Sequence, residues 1–299
     1  MTMQRSGMHT PTAARLAVLG SPIAHSLSPR LHRAAYGVLG LAWSYEAADV
    51  TGAVLPGYIS GLGQEWLGLS LTMPLKHDIR ALLDSRDELS VLTGATNTVR
   101  FSFANGERRI DGFNTDVGGI VRALGDSGIH LVAQAAVLGG GATAASAVVA
   151  AAQLGAEHVT VLARTPERAE SLRPIAAAAG IAITILPLTL ASIELTQAEL
   201  VLSTLPGDAA PLELIGQSTL PSRSALLDVA YHPWPSRLAL LWQEAEKPTI
   251  SGLSMLVHQA LLQIRVFVAG DPALPLDDEA NVLAAMFAAL ESTNEADLP

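Results

Sequence analysis

The 299-residue chain is predicted to be an α/β protein of two domains, and three observations lead there. Its length exceeds what a single hydrophobic core usually serves. Hydrophobic residues make up 49% of it but aromatics only 4%, so packing rests on Ala, Leu, Val and Ile, as in sheets covered by helices. From Ala135 onward, short apolar runs alternate regularly with helical patterns, the signature of a doubly wound parallel sheet.

The elements follow in order. Leu16 to Gly20 is an apolar run ending in Gly, and Ser28-Pro29 then opens a helix in which Leu31, Ala35, Val38 and Leu39 recur at helical spacing. Trp43 to Val50 and Trp66 to Met73 are strand candidates; the second alternates and stops at Pro74, which cannot continue a central ladder. Helices are expected at about Lys76 to Leu83 and Asp87 to Leu92. Two strands, Thr96 to Phe103 and Arg108 to Asp111, joined by the turn Asn105-Gly106, lead into Asn114-Thr115-Asp116 and a helix to about Leu124. Strands Ala136 to Gly139, His158 to Ala163 and Ile181 to Leu186 then alternate with helices Ala142 to Leu154 and Pro166 to Ala179. Strands Leu200 to Thr204 and Ala225 to Val229, helices Leu253 to Val268 and Asp277 to Leu290, and an acidic tail complete the chain.

The net charge of −10 argues against a polyanion-binding surface, because tracking phosphates needs clustered cations; no nucleic acid partner is expected. Cys is absent, which excludes a disulfide framework, thiolate metal sites and a cysteine nucleophile, and no metal is expected. The first fifteen residues lack the continuous apolar core of a secretory signal, so a cytoplasmic protein is expected. The most apolar stretch, Leu131 to Leu154, is interrupted by three glycines, and no membrane span is assigned.

Those glycines carry chemistry. In Val137-Leu138-Gly139-Gly140-Gly141-Ala142-Thr143-Ala144 they lie between a strand and a helix, where the backbone turns sharply and can approach a pyrophosphate at the helix N-terminus. The third fingerprint position is Ala144, a tolerated replacement for Gly. After the next strand an NAD site would offer an acid to the ribose, whereas this chain reads Ala163-Arg164-Thr165-Pro166-Glu167-Arg168. Arg164 and Arg168, four residues apart across a helix start with Thr165 at its N-cap, suit a 2′-phosphate, so NADP is the expected cofactor. The competing reading is a solvated face, with Arg168 paired to Glu167 or Glu170.

Further polar clusters fall at strand ends and helix starts. They are Gly20-Ser21-Pro22-Ile23-Ala24-His25-Ser26-Leu27-Ser28-Pro29, Leu71-Thr72-Met73-Pro74-Leu75-Lys76, Gly94-Ala95-Thr96-Asn97-Thr98, Asn114-Thr115-Asp116 and Gly252-Leu253-Ser254-Met255-Leu256-Val257-His258-Gln259. Individually each has a bland explanation: Ser28 and Asp116 as N-caps, Asn97 as a turn residue, Lys76 as a surface lysine, Met255 as core filling. Together, and in this order, they resemble the shikimate dehydrogenase family over nearly the whole chain, from about Leu16 to Phe267.

The resemblance implies an N-terminal α/β substrate-binding domain of residues 1–117 with 250–299, and a Rossmann NADP-binding domain of residues 118–249. It implies reversible NADPH-dependent reduction of 3-dehydroshikimate to shikimate, in chorismate and aromatic amino acid biosynthesis. Lys76 and Asp116 match the family's catalytic pair; Ser26 and Ser28 its carboxylate-holding serines; Thr72, Asn97, Tyr231 and Gln259 its other substrate contacts. Met255 matches a methionine near the nicotinamide, and Ser203, Thr204 and Gly252 join Gly139, Gly140, Gly141, Ala142, Ala163, Arg164, Thr165 and Arg168 as candidate cofactor-binding residues. A hydride delivered to a ketone leaves an alkoxide that must gain a proton, which gives a lysine ammonium its role.

Departures stand beside the matches. Ser70 occupies a position where many members have Asn, His77 one where an acid is common, and Tyr231-His232-Pro233-Trp234-Pro235-Ser236 differs from the usual form. Quinate/shikimate and aminoshikimate dehydrogenases share most of the constellation and stay open as alternatives. A catalytically inactive NADP-binding sensor is the alternative of another class; the presence of both Lys76 and Asp116 speaks against it. The expected partners are small molecules, and the expected assembly is a monomer or homodimer.

Overall fold

A computed structural model of the chain describes residues 13–104, 106–190, 195–206, 215, 220 and 224–291. The turn residue Asn105 and the acidic tail lie outside them. By its internal contacts the chain divides into two compact units: Met1–Asp87 with Thr96–Thr115 and Ala260–Pro299, and Glu88–Ala95 with Asp116–Gln259. Set against the expected boundaries at 117 and 250, the short segment 88–95 packs with the second unit, and the division falls inside the long C-terminal helix.

The first unit is built on β1 (Arg15–Gly20), α1 (Ser28–Leu39), β2 (Ser44–Asp49), α2 (Leu55–Ser60), β3 (Trp66–Leu71), α3 (Leu75–Asp78), β4 (Ser85–Arg86), β5 (Thr98–Ala104) and β6 (Glu107–Phe113). Its sheet runs β2-β1-β3-β5-β6-β4, with β1 parallel to β2 and β3, and the β5–β6 hairpin antiparallel to β3. Strand β3 was expected to alternate, yet every one of its residues is buried. It lies in the interior of the sheet, covered on both faces, so polarity need not alternate along it. The helix expected over Lys76 to Leu83 is instead α3 followed by a 3-10 turn, Ile79–Leu82.

The second unit contains α4 (Glu88–Thr93), α5 (Asp116–Asp126), β7 (Gln134–Leu138), α6 (Ala142–Gln153), β8 (His158–Ala163), α7 (Pro166–Ala169), α8 (Leu172–Ala178), β9 (Ala182–Pro187), β10 (Leu200–Ser203), β11 (Ala225–Asp228), α9 (Arg237–Glu244) and β12 (Thr249–Ser251). Helix α10 (Gly252–Ala269) runs from this unit into the first, and α11 (Glu279–Glu291) packs on α1. All strand pairs of the second sheet are parallel, in the order β12-β11-β10-β7-β8-β9. In sequence this is the 3-2-1-4-5-6 winding of dinucleotide-binding sheets, with the change of direction between β7 and β10.

The single helix expected from Pro166 to Ala179 is broken into α7 and α8. Pro174 has no N–H to give the Glu170 carbonyl, and a tighter bond from the Arg173 amide to that carbonyl, 3.1 Å, takes its place. Helix α10 is long and apolar enough by length and composition to cross a membrane, but 72% of it is buried inside the protein.

Candidate active site

Because β1 and β3 are parallel and β3 and β5 antiparallel, the carboxyl ends of the first two meet the amino end of the third at one end of the first sheet's central strands. Main-chain bonds tie the segments leaving it. The Thr72 amide donates to the Leu19 carbonyl (2.9 Å), the Leu71 amide to the Asn97 carbonyl (2.7 Å), and the Thr96 amide to the Lys76 carbonyl (2.9 Å). Thr72 and Lys76 are thus carried together with the more distant Asn97 by one hydrogen-bonded patch. Lys76 is half-buried, unlike a fully solvated surface lysine.

Asn97 is only 1% exposed, and its side chain is clamped. Its Oδ1 accepts from the Thr115 amide (2.8 Å) and the Thr98 hydroxyl (3.0 Å), while its Nδ2 donates to the Thr115 hydroxyl (2.9 Å). This replaces the turn-residue reading with a buried, oriented amide. Thr115, which received no role from the sequence, is the clamp. Asp116 follows it as the first residue of α5, where the helix dipole favours a carboxylate, and it is 3% exposed.

Ser26 and Ser28 leave β1 toward α1. Ser28 was offered as an N-cap; instead it is the first helical residue, the cap position belongs to Leu27, and no side chain caps the helix. Ser28 is buried, Ser26 half-buried, and the Ser28 amide makes a long bond to the Ser26 hydroxyl at 3.4 Å.

In the second unit, Gly139 follows β7 with φ of +114°, a conformation that favours Gly, and a Cβ there would overlap the Thr204 hydroxyl. That hydroxyl donates to the Leu138 carbonyl at 2.9 Å, so Thr204 and its buried neighbour Ser203 close the turn from β10, at the point where the winding reverses. Gly140 follows, and Gly141, the N-cap of α6, has open space where a Cβ would stand; no side chain caps this helix. An uncapped twelve-residue helix beginning at Ala142 behind an open glycine turn fits a pyrophosphate.

Past β8, which ends at the buried Ala163, Arg164, Thr165 and Arg168 are exposed. Thr165 holds the N-cap position of α7, as the sequence placed it, and makes no side-chain cap bond. Among the described residues neither guanidinium has an ion pair, and Glu170, one of the acids considered for Arg168, is held by Arg173 at 2.6 Å. Both arginines are thereby available to an anion.

Tyr231 lies after β11, half-buried, and burial pushes its phenol above the ordinary value. Its loop is pinned by Asp228, which accepts from the Ser236 hydroxyl (2.6 Å), and Ser236 in turn caps α9 by accepting from the Ala239 amide (3.0 Å). Gly252 opens α10 and is buried; Met255, one turn on, lies in the second unit's hydrophobic core. Gln259 is nearly buried, with Nε2 donating to the Leu256 carbonyl at 2.9 Å.

Sequence reasoning missed what sets Gln259 in place. Helices α5 and α10 cross at Gly119, where a Cβ would lie 2.8 Å from the Gln259 Cβ and 3.0 Å from the Met255 carbonyl oxygen. Gly119→Ala is expected to destabilise the protein by about 1–3 kcal/mol in urea unfolding, because the crossing helices would have to part. Gly125→Ala in the same helix meets nothing nearer than 3.6 Å and is expected to be neutral or stabilising. Equal effects of the two would show that the crossing is not tight.

Comparison with known proteins adds two domain matches: residues 18–99 to the shikimate dehydrogenase substrate binding domain, and residues 112–232 to the alanine dehydrogenase/PNT C-terminal domain. A shikimate dehydrogenase (NADP(+)) of Thermus thermophilus is 36% identical over 256 residues, covering 85% of this chain and 92% of that protein. The crystal structure of Mycobacterium tuberculosis shikimate dehydrogenase is similar with a TM-score of 0.80 at 38% identity, covering 94% of this chain and all of that one. A Thermus thermophilus shikimate 5-dehydrogenase in complex with NADP(H) and shikimate matches with a TM-score of 0.76 at 33% identity, covering 92% and 99% of the two chains.

Proposed function

This chain belongs to the shikimate dehydrogenase family, and from that premise we propose that it catalyses the reversible NADPH-dependent reduction of 3-dehydroshikimate to shikimate. The observation that carries the proposal is the patch at the end of the first sheet's central strands. It joins the backbones of Thr72, Lys76 and Asn97, so that one patch carries a half-buried lysine and a clamped amide.

NADPH, when bound, supplies the hydride. Lys76 is the general acid that gives the nascent alkoxide its proton, and Asp116 is its acid/base partner. Thr72, Asn97, Gln259 and Tyr231 contact the hydroxylated ring, and Ser26 and Ser28 hold its carboxylate. Gly139 to Ala142 cradle the pyrophosphate, Ala163, Ser203, Thr204, Gly252 and Met255 line the rest of the nucleotide, and Arg164, Thr165 and Arg168 take the 2′-phosphate. By function, residues 1–117 and 250–299 form the substrate-binding part and residues 118–249 the NADP-binding part, although 88–95, 116–117 and 250–259 pack within the second compact unit. The same reading has a cytoplasmic enzyme acting on small molecules, as a monomer or homodimer, without nucleic acid or membrane partners.

The test is NADPH formation followed by absorbance, with shikimate or quinate against NADP⁺ or NAD⁺. The greatest kcat/KM is expected with shikimate and NADP⁺. Binding of shikimate without turnover would replace the enzyme by a sensor, and greater efficiency with quinate would change the substrate.

A further inference from the structure

The first unit holds a second polar system, buried behind the patch and used by none of the steps above. His32 and Tyr36 of α1, Tyr45 of β2, Ser70 of β3 and Gln263 of α10 are each at most 3% exposed, yet all carry polar side chains. Polar groups so deep in a core must bond one another, and these do so with a defined direction.

The donors run one way. Burial lowers the His32 imidazole to a pKa of about 3, so the ring is neutral near pH 7 and carries one N–H. The Tyr36 hydroxyl lies 3.0 Å from His32 Nδ1, and His32 Nε2 lies 3.3 Å from Gln263 Oε1. An imidazole that accepts from the phenol on one side must donate to the amide oxygen on the other. From the opposite side the Tyr45 hydroxyl donates to the Ser70 hydroxyl (2.6 Å), which donates to the same Gln263 oxygen (2.8 Å). The His32 ring is also stacked on Tyr45 at 3.9 Å between centroids, which binds the two branches together.

With two donors on its oxygen, the Gln263 amide cannot flip, and its Nε2 is left to donate to the Asn97 carbonyl at 3.3 Å. That carbonyl is the one that accepts from Leu71, so Asn97 is held on its side-chain face by Thr115 and on its main-chain face by Gln263. The single hydroxyl proton of Ser70 is spent on Gln263, so this residue points its donor into the network.

We propose that Gln263, fixed by Ser70 and His32, is a positioning residue that orients Asn97 and thereby sets substrate affinity. The assignment rests on Asn97 contacting the substrate, as read above. In this reading Gln263 acts through Asn97, to whose carbonyl it is bonded, and not through the reacting atoms or the nucleotide.

The test is steady-state kinetics, with shikimate binding measured separately by calorimetry, on the wild type, Asn97→Ala, Gln263→Met, the double variant and the milder Ser70→Ala. Gln263→Met is expected to raise the KM for shikimate about tenfold, and Ser70→Ala about threefold, with kcat within about twofold and the KM for NADP⁺ unchanged. In the Asn97→Ala background, Gln263→Met is expected to add little, since two residues acting through one contact are not additive. Parallel losses in kcat and NADP⁺ affinity, or equal effects of Gln263→Met in both backgrounds, would overturn the positioning role while leaving the proposed function intact. An unchanged KM in Asn97→Ala would instead remove Asn97 as a contact, and with it the role of Gln263; absence of shikimate binding by the wild type would remove the proposed function itself. If Gln263→Met does not fold, Ser70→Ala decides: an unchanged KM there overturns the proposal.

Discussion

Replacing Lys76 by Met is expected to lower kcat for shikimate oxidation by about 10² to 10⁴, with the KM for shikimate changed only severalfold. Methionine keeps an apolar stem of the same number of atoms and lacks the terminal ammonium. Lys76 sits on the four-residue helix α3, and the Lys76 carbonyl is bonded to the Thr96 amide. That main-chain anchor survives the substitution, so the residue's position is retained while its proton is lost. A loss confined to kcat identifies proton transfer, whereas a rise in KM at constant kcat would make Lys76 a binding residue. Near-normal turnover would overturn the assignment.

The second large effect is expected at the nucleotide. Arg164→Ala with Arg168→Ala should raise the KM for NADP⁺ by about tenfold to a hundredfold and leave that for NAD⁺ nearly unchanged. A charge-assisted bond to a 2′-phosphate contributes about 1.5–3 kcal/mol where it is desolvated, and screening at these two exposed positions reduces the pair together to about the value of one such bond; only NADP⁺ offers that group. Both side chains are exposed, and Arg173 already engages Glu170. Added salt should weaken the wild type's preference in the same direction, because exposed charges are screened. A double variant that still prefers NADP⁺ would place the phosphate elsewhere.

Much of the second unit was legible because its signals are local. The glycine turn, the strand before it and the arginines after the next strand occupy one stretch of fewer than forty residues, and periodicity alone locates each element. Pro174 was a local signal as well; it marks the break between α7 and α8 through the bond it cannot make. In contrast, α2 and β12 are short elements with little periodicity, and β12 acquires its three-residue identity from pairing with β11.

The sequence by itself determined the α/β class, the alternation that winds the second sheet, and the residue types offered for chemistry, since these depend on spacing within a turn or a strand. Only the tertiary structure decided how those residues are held. The Asn97–Thr115 clamp needs β5 and β6 in register, Thr98 opposite Phe113. The seating of Gln259 needs a missing side chain at Gly119, and the anchoring of Asn97 from behind needs Gln263, 166 residues away. Such contacts join positions that no local period relates, so their energies exist only once the chain has closed the loops between them.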